Sequence, residues 1–247
     1  MQGNTALSLD LETLGTEPGC GILEIGFCSF STKVLQTRSL IQETGRFFTI
    51  TLEDNLRHRM AVDPSTVDWW DYSQGGVPKF SKVSLQSALA QTADAMNECW
   101  KKGIKDIWCK PTTFDIPILA EAMDALGIER PQQLRKKNFR HWQCFATLRR
   151  VATTMAHELK VHPEFEKQIT HNALNDAVDQ AVQANMILTV LPAWREGHLA
   201  VQRLQNIAKT ELSIKEEKER LAAVEEARKQ HNLRRRKARR ARARKSR

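Results

Sequence analysis

The stretch from residue 6 to residue 52 constrains the fold most, because it reads as three β-strands in succession. Ala6–Leu11 alternates apolar and polar residues, and a period of two gives one dry and one wet face only on an extended strand. Gly15, Pro18, Gly19 and Gly21 punctuate a turn. Ile22–Phe30 is a second, largely apolar strand, and Phe47–Leu52 (FFTITL) is a third, rich in β-formers. Strands that follow one another through short connections pair antiparallel, since a parallel return needs a crossover of about a dozen residues or more. A meander is therefore expected at the start of the chain, with Asp10 and Glu12 at the end of its first strand.

The period then changes. Asp63-Pro-Ser-Thr opens a short helix holding Trp69 and Trp70. Ser84–Lys102 has helical spacing at Leu85, Leu89, Ala93, Met96 and Trp100, and Gly103 stops it. Ile104–Cys109 is a short strand and Pro111–Phe114 a loop; Asp115–Leu126 is a helix ended by Gly127, and Ala173–Leu191 is another helix. A meander followed by helix, strand and helices predicts an α/β or α+β fold with a mixed sheet flanked by helices.

Beyond Pro192 the character shifts. Leu199–Ala227 is charged and helix-forming, with Ile207, Ile214 and Leu221 seven apart; Glu211 and Lys218 fall between them, which suits a solvated helical arm better than a coiled coil. His231–Arg247 (HNLRRRKARRARARKSR) is too charged to bury and is expected to be disordered when free. The predicted organisation is a folded domain over 1–192, a charged helical extension over 193–230 and a basic tail over 231–247.

Charge is partitioned the same way. The formal net charge is +9, yet 12 of the 38 Lys/Arg lie from Arg228 onward, where there is no Asp or Glu. The preceding residues therefore carry 26 bases against 29 acids, a net of −3. A cationic tail on a mildly acidic body suits a polyanionic partner bound through the tail. The cysteines at 20, 28, 99, 109 and 144 are odd in number and show no C-x-x-C spacing, which disfavours a disulfide framework or a zinc ribbon and fits a reducing compartment. No signal-peptide pattern or 20-residue apolar run is present, so a cytoplasmic protein with no membrane partner is expected, in a bacterial or phage-infected cell. Oligomeric state is not legible.

The residues able to carry chemistry are individually plain. Asp10 and Glu12 leave the same face of a strand and repel each other unless a cation lies between them; on an exposed strand they are a solvated polar face. Asp115 is either a first-turn carboxylate favoured by the helix dipole or a ligand fixed by that position. His171 precedes a helix whose first turn holds Asp176, and singly both read as surface residues; Asp179 is a weaker choice, one turn further on. Leu14 and Phe114 flank these acids, Trp69 and Trp70 offer stacking surfaces or core bulk, and Asn172 is either a phosphate contact or a helix N-cap.

Their joint order is specific. LSLDLETLG followed by ILEIG, then KPTTFDIPIL, then HNALNDAVDQA resembles the three motifs of the DEDDh 3′–5′ exonucleases, from about Thr5 to Leu191. TVDWWDYSQ (66–74) resembles a stretch of a phage and prophage branch that includes the DexA-type exodeoxyribonucleases; a related mycobacterial branch acts on RNA. The resemblance implies a ribonuclease-H-like fold and a site holding two Mg²⁺ or Mn²⁺ ions. By it, Asp10, Glu12, Asp115 and Asp176 are the metal ligands, and His171 is the general base. It further implies release of 5′-mononucleotides from a single-stranded 3′ end, with Leu14, Trp69, Trp70, Phe114 and Asn172 as substrate contacts. DNA is the favoured polymer. An exoribonuclease on the same scaffold is the alternative, and a non-catalytic nucleic-acid-binding module a more distant one. The chain departs from many relatives in lacking an acid at Cys144–Arg149 and in having Lys110-Pro-Thr-Thr where glycine-containing loops are common.

Overall fold

The computed structural model describes residues 5–158 and 171–194, together with 215, 218 and 219. The chain divides into two units, Met1–Pro192 and Ala193–Arg247, and the sheet with its helices lies in the first. The elements are β1 (Thr5–Thr13), β2 (Ile22–Ser31), α1 (Arg38–Gln42), β3 (Arg46–Thr49), α2 (Leu52–Arg57), α3 (Pro64–Gln74), α4 (Leu85–Lys101), β4 (Ile107–Cys109), α5 (Thr112–Ala125), two 3₁₀ turns (Gln132–Leu134 and Lys136–His141), β5 (Trp142–Cys144), α6 (Phe145–Glu158) and α7 (Ala173–Trp194). The charged extension and the basic tail fall outside the described residues, apart from the end of α7 and from Lys215, Lys218 and Glu219, which are helical and exposed.

The sheet has the order β3-β2-β1-β4-β5. β2 pairs antiparallel with both β1 and β3, while β4 joins β1, and β5 joins β4, in parallel. This is the mixed, helix-flanked sheet of the ribonuclease-H-like arrangement that the sequence predicts. The five cysteines are all free thiols. No helix among the described residues is long and apolar enough to cross a membrane.

Period-two alternation on β1 and β2 divides the interior. Leu7, Leu9, Leu11, Ile25 and Phe27 pack with Leu85, Leu89 and Met96 of α4 and with Ile116, Leu119 and Met123 of α5. Each such buried side chain contributes about 1.5–3 kcal/mol relative to exposure. The other face is occupied by Ala6, Cys28 and Phe30, which pack with Phe145 of α6 and Val178, Ala181 and Ala184 of α7. Asp10 and Glu12, in phase with Ala6, therefore face α7.

Several boundaries differ from the sequence prediction. The third strand stops at Thr49, and Leu52 already belongs to α2. The hydroxyl of Thr51 accepts from the Asp54 N–H at 3.2 Å and so caps that helix. Asn55, fully buried, then accepts from Ile22 N–H and donates to Ile22 C=O, both at 2.9 Å. A side-chain amide thus completes the end of β2 in place of a longer β3. Helix α5 begins at Thr112, three residues before the expected start, because Pro111 at the N-cap has no N–H to satisfy. β5 and α6 were not anticipated; a three-residue strand carries no readable alternation.

Candidate active site

β1 is the central strand and supplies two acids from one face. Asp10, Glu12 and Asp176 each offer a carboxylate oxygen, and these oxygens lie within 4.8 Å of one another. Asp176 reaches the pair because it sits in the first turn of α7, where the helix dipole favours negative charge. Asp115, in the first turn of α5, is buried, and its Oδ1 accepts from the Leu11 N–H at 3.0 Å. Leu11 lies between Asp10 and Glu12, so this bond ties α5 to the strand segment that carries both acids. The second oxygen of Asp115, Oδ2, is buried with no hydrogen-bond partner.

Three further residues build the site, none of them identified as part of it from sequence. Glu24 of β2 stands directly across from Glu12. Its Oε2 accepts from the Ala173 N–H at 2.9 Å and from Asn172 Nδ2 at 3.2 Å, so it anchors the start of α7. Gly26, across from Asp10, lets that start settle directly on the sheet: a Cβ there would stand 2.1 Å from the Ala173 carbonyl carbon. Gln180 donates from Nε2 to Asp10 Oδ1 at 2.7 Å. Gln180 was legible in principle, since it lies four residues after Asp176 on one helix face. Glu24 and Gly26 were not, because their register depends on an irregularity in the β1–β2 pairing between Glu12 and Thr13.

The electrostatics follow from crowding. Burial, then the charges of Asp115, Glu12 and Asp176, push the Asp10 carboxyl well above the usual carboxylate range, opposed by the Gln180 bond. Burial, then Asp176, Glu24 and Asp115, raise Glu12 to about 8. Burial raises Asp115 to about 7 against its hydrogen bonds from the backbone, and raises Glu24 to about 7 against its bond from Ala173. Such a cluster is relieved by a cation. A hard divalent ion fits it: the ligands are carboxylate oxygens, three converge, and the fourth acid has a buried oxygen with no partner.

The remaining predicted residues separate. His171 precedes α7 with a backbone φ of 44°, and its ring packs edge-to-face on Trp69, with centroids 4.9 Å apart. Trp70 is buried with Leu14 and Leu23 and donates from Nε1 to the Thr13 carbonyl at 3.2 Å. Leu14, just beyond β1, and Trp70 of α3 are thus buried against each other, which leaves little of either surface open. Phe114 is half-buried against the main core. Asn172 is the N-cap of α7, with Oδ1 accepting from the Asn175 N–H at 3.1 Å, and its Nδ2 donates to Glu24 Oε2 at 3.2 Å. Asp179 forms an ion pair with Arg38.

A central strand presenting Asp10 and Glu12 to the first turn of a late helix, in a sheet of this topology, is the arrangement that the resemblance to the DEDDh 3′–5′ exonucleases implies. The chain belongs to the Rv2179c-like 3′–5′ exoribonuclease domain family, whose model matches residues 5–188. No curated protein matches the sequence significantly. Among solved structures it is similar to the nuclease domain of 3′hExo, a DEDDh family member, bound to rAMP, at 15% identity and TM-score 0.45, covering 75% of this chain and 92% of that one. Cell-death related nuclease 4 aligns at 14% identity and TM-score 0.43, covering 76% and 66% respectively. A full-length 3′-exonuclease aligns at 15% identity and TM-score 0.41, covering 81% and 89%.

Proposed function

We propose that the protein hydrolyses the terminal phosphodiester at a single-stranded 3′ end and releases 5′-mononucleotides, with RNA as the polymer. The observation that carries the hydrolytic reading is the convergence of Asp10, Glu12 and Asp176 within 4.8 Å, with Asp115 held beside them through Leu11. The sequence resemblance favours DNA, through TVDWWDYSQ and the phage and prophage branch. Membership of a family described by exoribonuclease activity moves the preference to RNA.

Asp10, Glu12, Asp115 and Asp176 would hold two Mg²⁺ or Mn²⁺ ions. Bound there, such ions would make a water acidic enough to attack at neutral pH and would neutralise charge on the phosphate. The protein's own groups do the rest. His171 takes the proton from the attacking water, a role that requires its imidazole to be neutral. Gln180 fixes one Asp10 oxygen, which sets the direction of the other. Glu24 holds the start of α7, and with it Asp176. The basic tail over 231–247 supplies affinity for the phosphate backbone without reading sequence.

End-labelled RNA, single-stranded DNA and duplex DNA incubated with Mg²⁺ or Mn²⁺ test this. Metal-dependent release of 5′-mononucleotides from RNA, fastest among the three and abolished in Asp10→Ala, is expected. His171→Ala should slow turnover by about 10²–10⁴. Faster cleavage of single-stranded DNA would return the polymer to DNA. Near-normal hydrolysis by a purified Asp10→Ala protein would overturn the site itself.

A further inference from the structure

α3 is not used by the carboxylate chemistry, yet it lies against the site at one point. Trp69 and the His171 ring meet at 4.9 Å between centroids and 80° between planes. Trp69 in turn meets Trp70 at 5.4 Å and 82°. Trp70 is buried and donates to the Thr13 carbonyl at 3.2 Å, immediately after Glu12 on β1. A continuous path of packed rings therefore runs from the strand that carries Asp10 and Glu12 to the histidine. Asp63 caps α3 by accepting from the Ser65 N–H at 2.9 Å, and Gly75 ends it in the left-handed conformation, so the helix has a defined start and stop.

His171 needs such a support. With φ at 44° it occupies a region that a non-glycine residue holds only when its surroundings impose it. Its C-terminal side is fixed by Asn172 and Ala173 on Glu24. Those bonds fix the backbone and leave rotation of the ring open. Trp69 packs against the ring itself.

We propose that Trp69 is a positioning residue for the His171 imidazole, referring the ring's orientation to the same strand that carries Asp10 and Glu12. This rests on reading His171 as the base. Trp69 keeps 40% of its surface exposed, so this function and a core function are separable; Trp70 carries the core function. Edge-to-face contact of two aromatic rings biases an orientation by roughly 2- to 13-fold. That is far less than removal of the base, and it sets the scale of the expected effect.

The test uses the full chain and an end-labelled single-stranded oligonucleotide with Mn²⁺. Trp69→Leu should lower kcat by roughly 3- to 10-fold, with KM and Mn²⁺ affinity within about twofold of wild type, and Trp69→Phe should recover most of the loss. In a His171→Ala background, Trp69→Leu should cost nothing more. The His171 ring resonances should shift in Trp69→Leu, measured by NMR without substrate. Tyr72, 94% exposed one turn further along α3, provides a control, and Tyr72→Leu should leave kcat and the His171 resonances unchanged. Three results would overturn the proposal: a rise in KM at constant kcat, which would make Trp69 a base-stacking surface; an equal loss of rate with and without His171; or unmoved His171 resonances in an active enzyme. A wild-type chain that cleaves neither RNA nor DNA would overturn the base reading first and the positioning role with it.

Discussion

In a Gly26→Ala variant the added Cβ would stand 2.1 Å from the Ala173 carbonyl carbon, 2.2 Å from the Leu174 nitrogen and 2.3 Å from the Ala173 oxygen. Carbon contacts settle near 3.5–4.0 Å, so the start of α7 has to retreat by roughly 1.4–1.9 Å. All three atoms belong to the main chain, and shortening a side chain on α7 gives no relief. The same retreat stretches the 2.9 Å bond from Ala173 to Glu24 past useful length and carries Asp176 away from Asp10 and Glu12. A misplacement of about 1 Å in a catalytic constellation costs on the order of 10²-fold in rate, and overpacking of this kind destabilises by about 1–3 kcal/mol. The variant should therefore bind Mn²⁺ more weakly by calorimetric titration, turn over about 10²-fold more slowly and melt a few degrees lower. Wild-type Mn²⁺ affinity and turnover in folded Gly26→Ala would show that close seating of α7 on β2 does not assemble the site.

Other consequences can be measured independently. Without metal, the folded protein keeps protons on Glu12 up to about pH 8 and on Asp115 and Glu24 up to about pH 7, whereas the unfolded chain releases them near pH 4. The folded state then binds more protons across that window, so the melting temperature in EDTA should fall as pH rises from about 4 to 8, and Mg²⁺ or Mn²⁺ should restore more of it at pH 8 than at pH 5; a melting temperature in EDTA flat across this range would contradict the crowding. Asn55→Ala removes a buried amide that satisfies both backbone groups of Ile22 and should cost about 2–4 kcal/mol in chemical denaturation, a loss below 0.5 kcal/mol being inconsistent with that role. Deleting residues 231–247 should flatten the dependence of oligonucleotide affinity on salt while leaving hydrolysis of a mononucleotide ester unchanged; equal loss on both substrates would make the tail structural.

Much of the site was legible in the sequence because local rules place it. Period two on β1 puts Asp10 and Glu12 on one face. Cap-like positions place Asp115 and Asp176 in first turns, and the order of the three motifs identifies the superfamily. The split of charge between an acidic body and a basic tail needs only counting. Tertiary structure alone decided which of the aromatic and polar neighbours are buried and which stand beside the carboxylates. Leu14 flanks the motif acids in sequence, and Trp70 reads as a stacking surface or as core bulk; both are buried, because burial depends on what packs between α3 and β2. Asn172, Glu24 and Gly26 acquire their roles only when α7 returns to β2, 148 residues separating Asn172 from Glu24, and Trp69 meets His171 across 102 residues. The carboxylates themselves were visible early, since charge and strand phase are properties of short segments. The supports that hold them within reach of one another are properties of the packed sheet and helices, and no short segment specifies them.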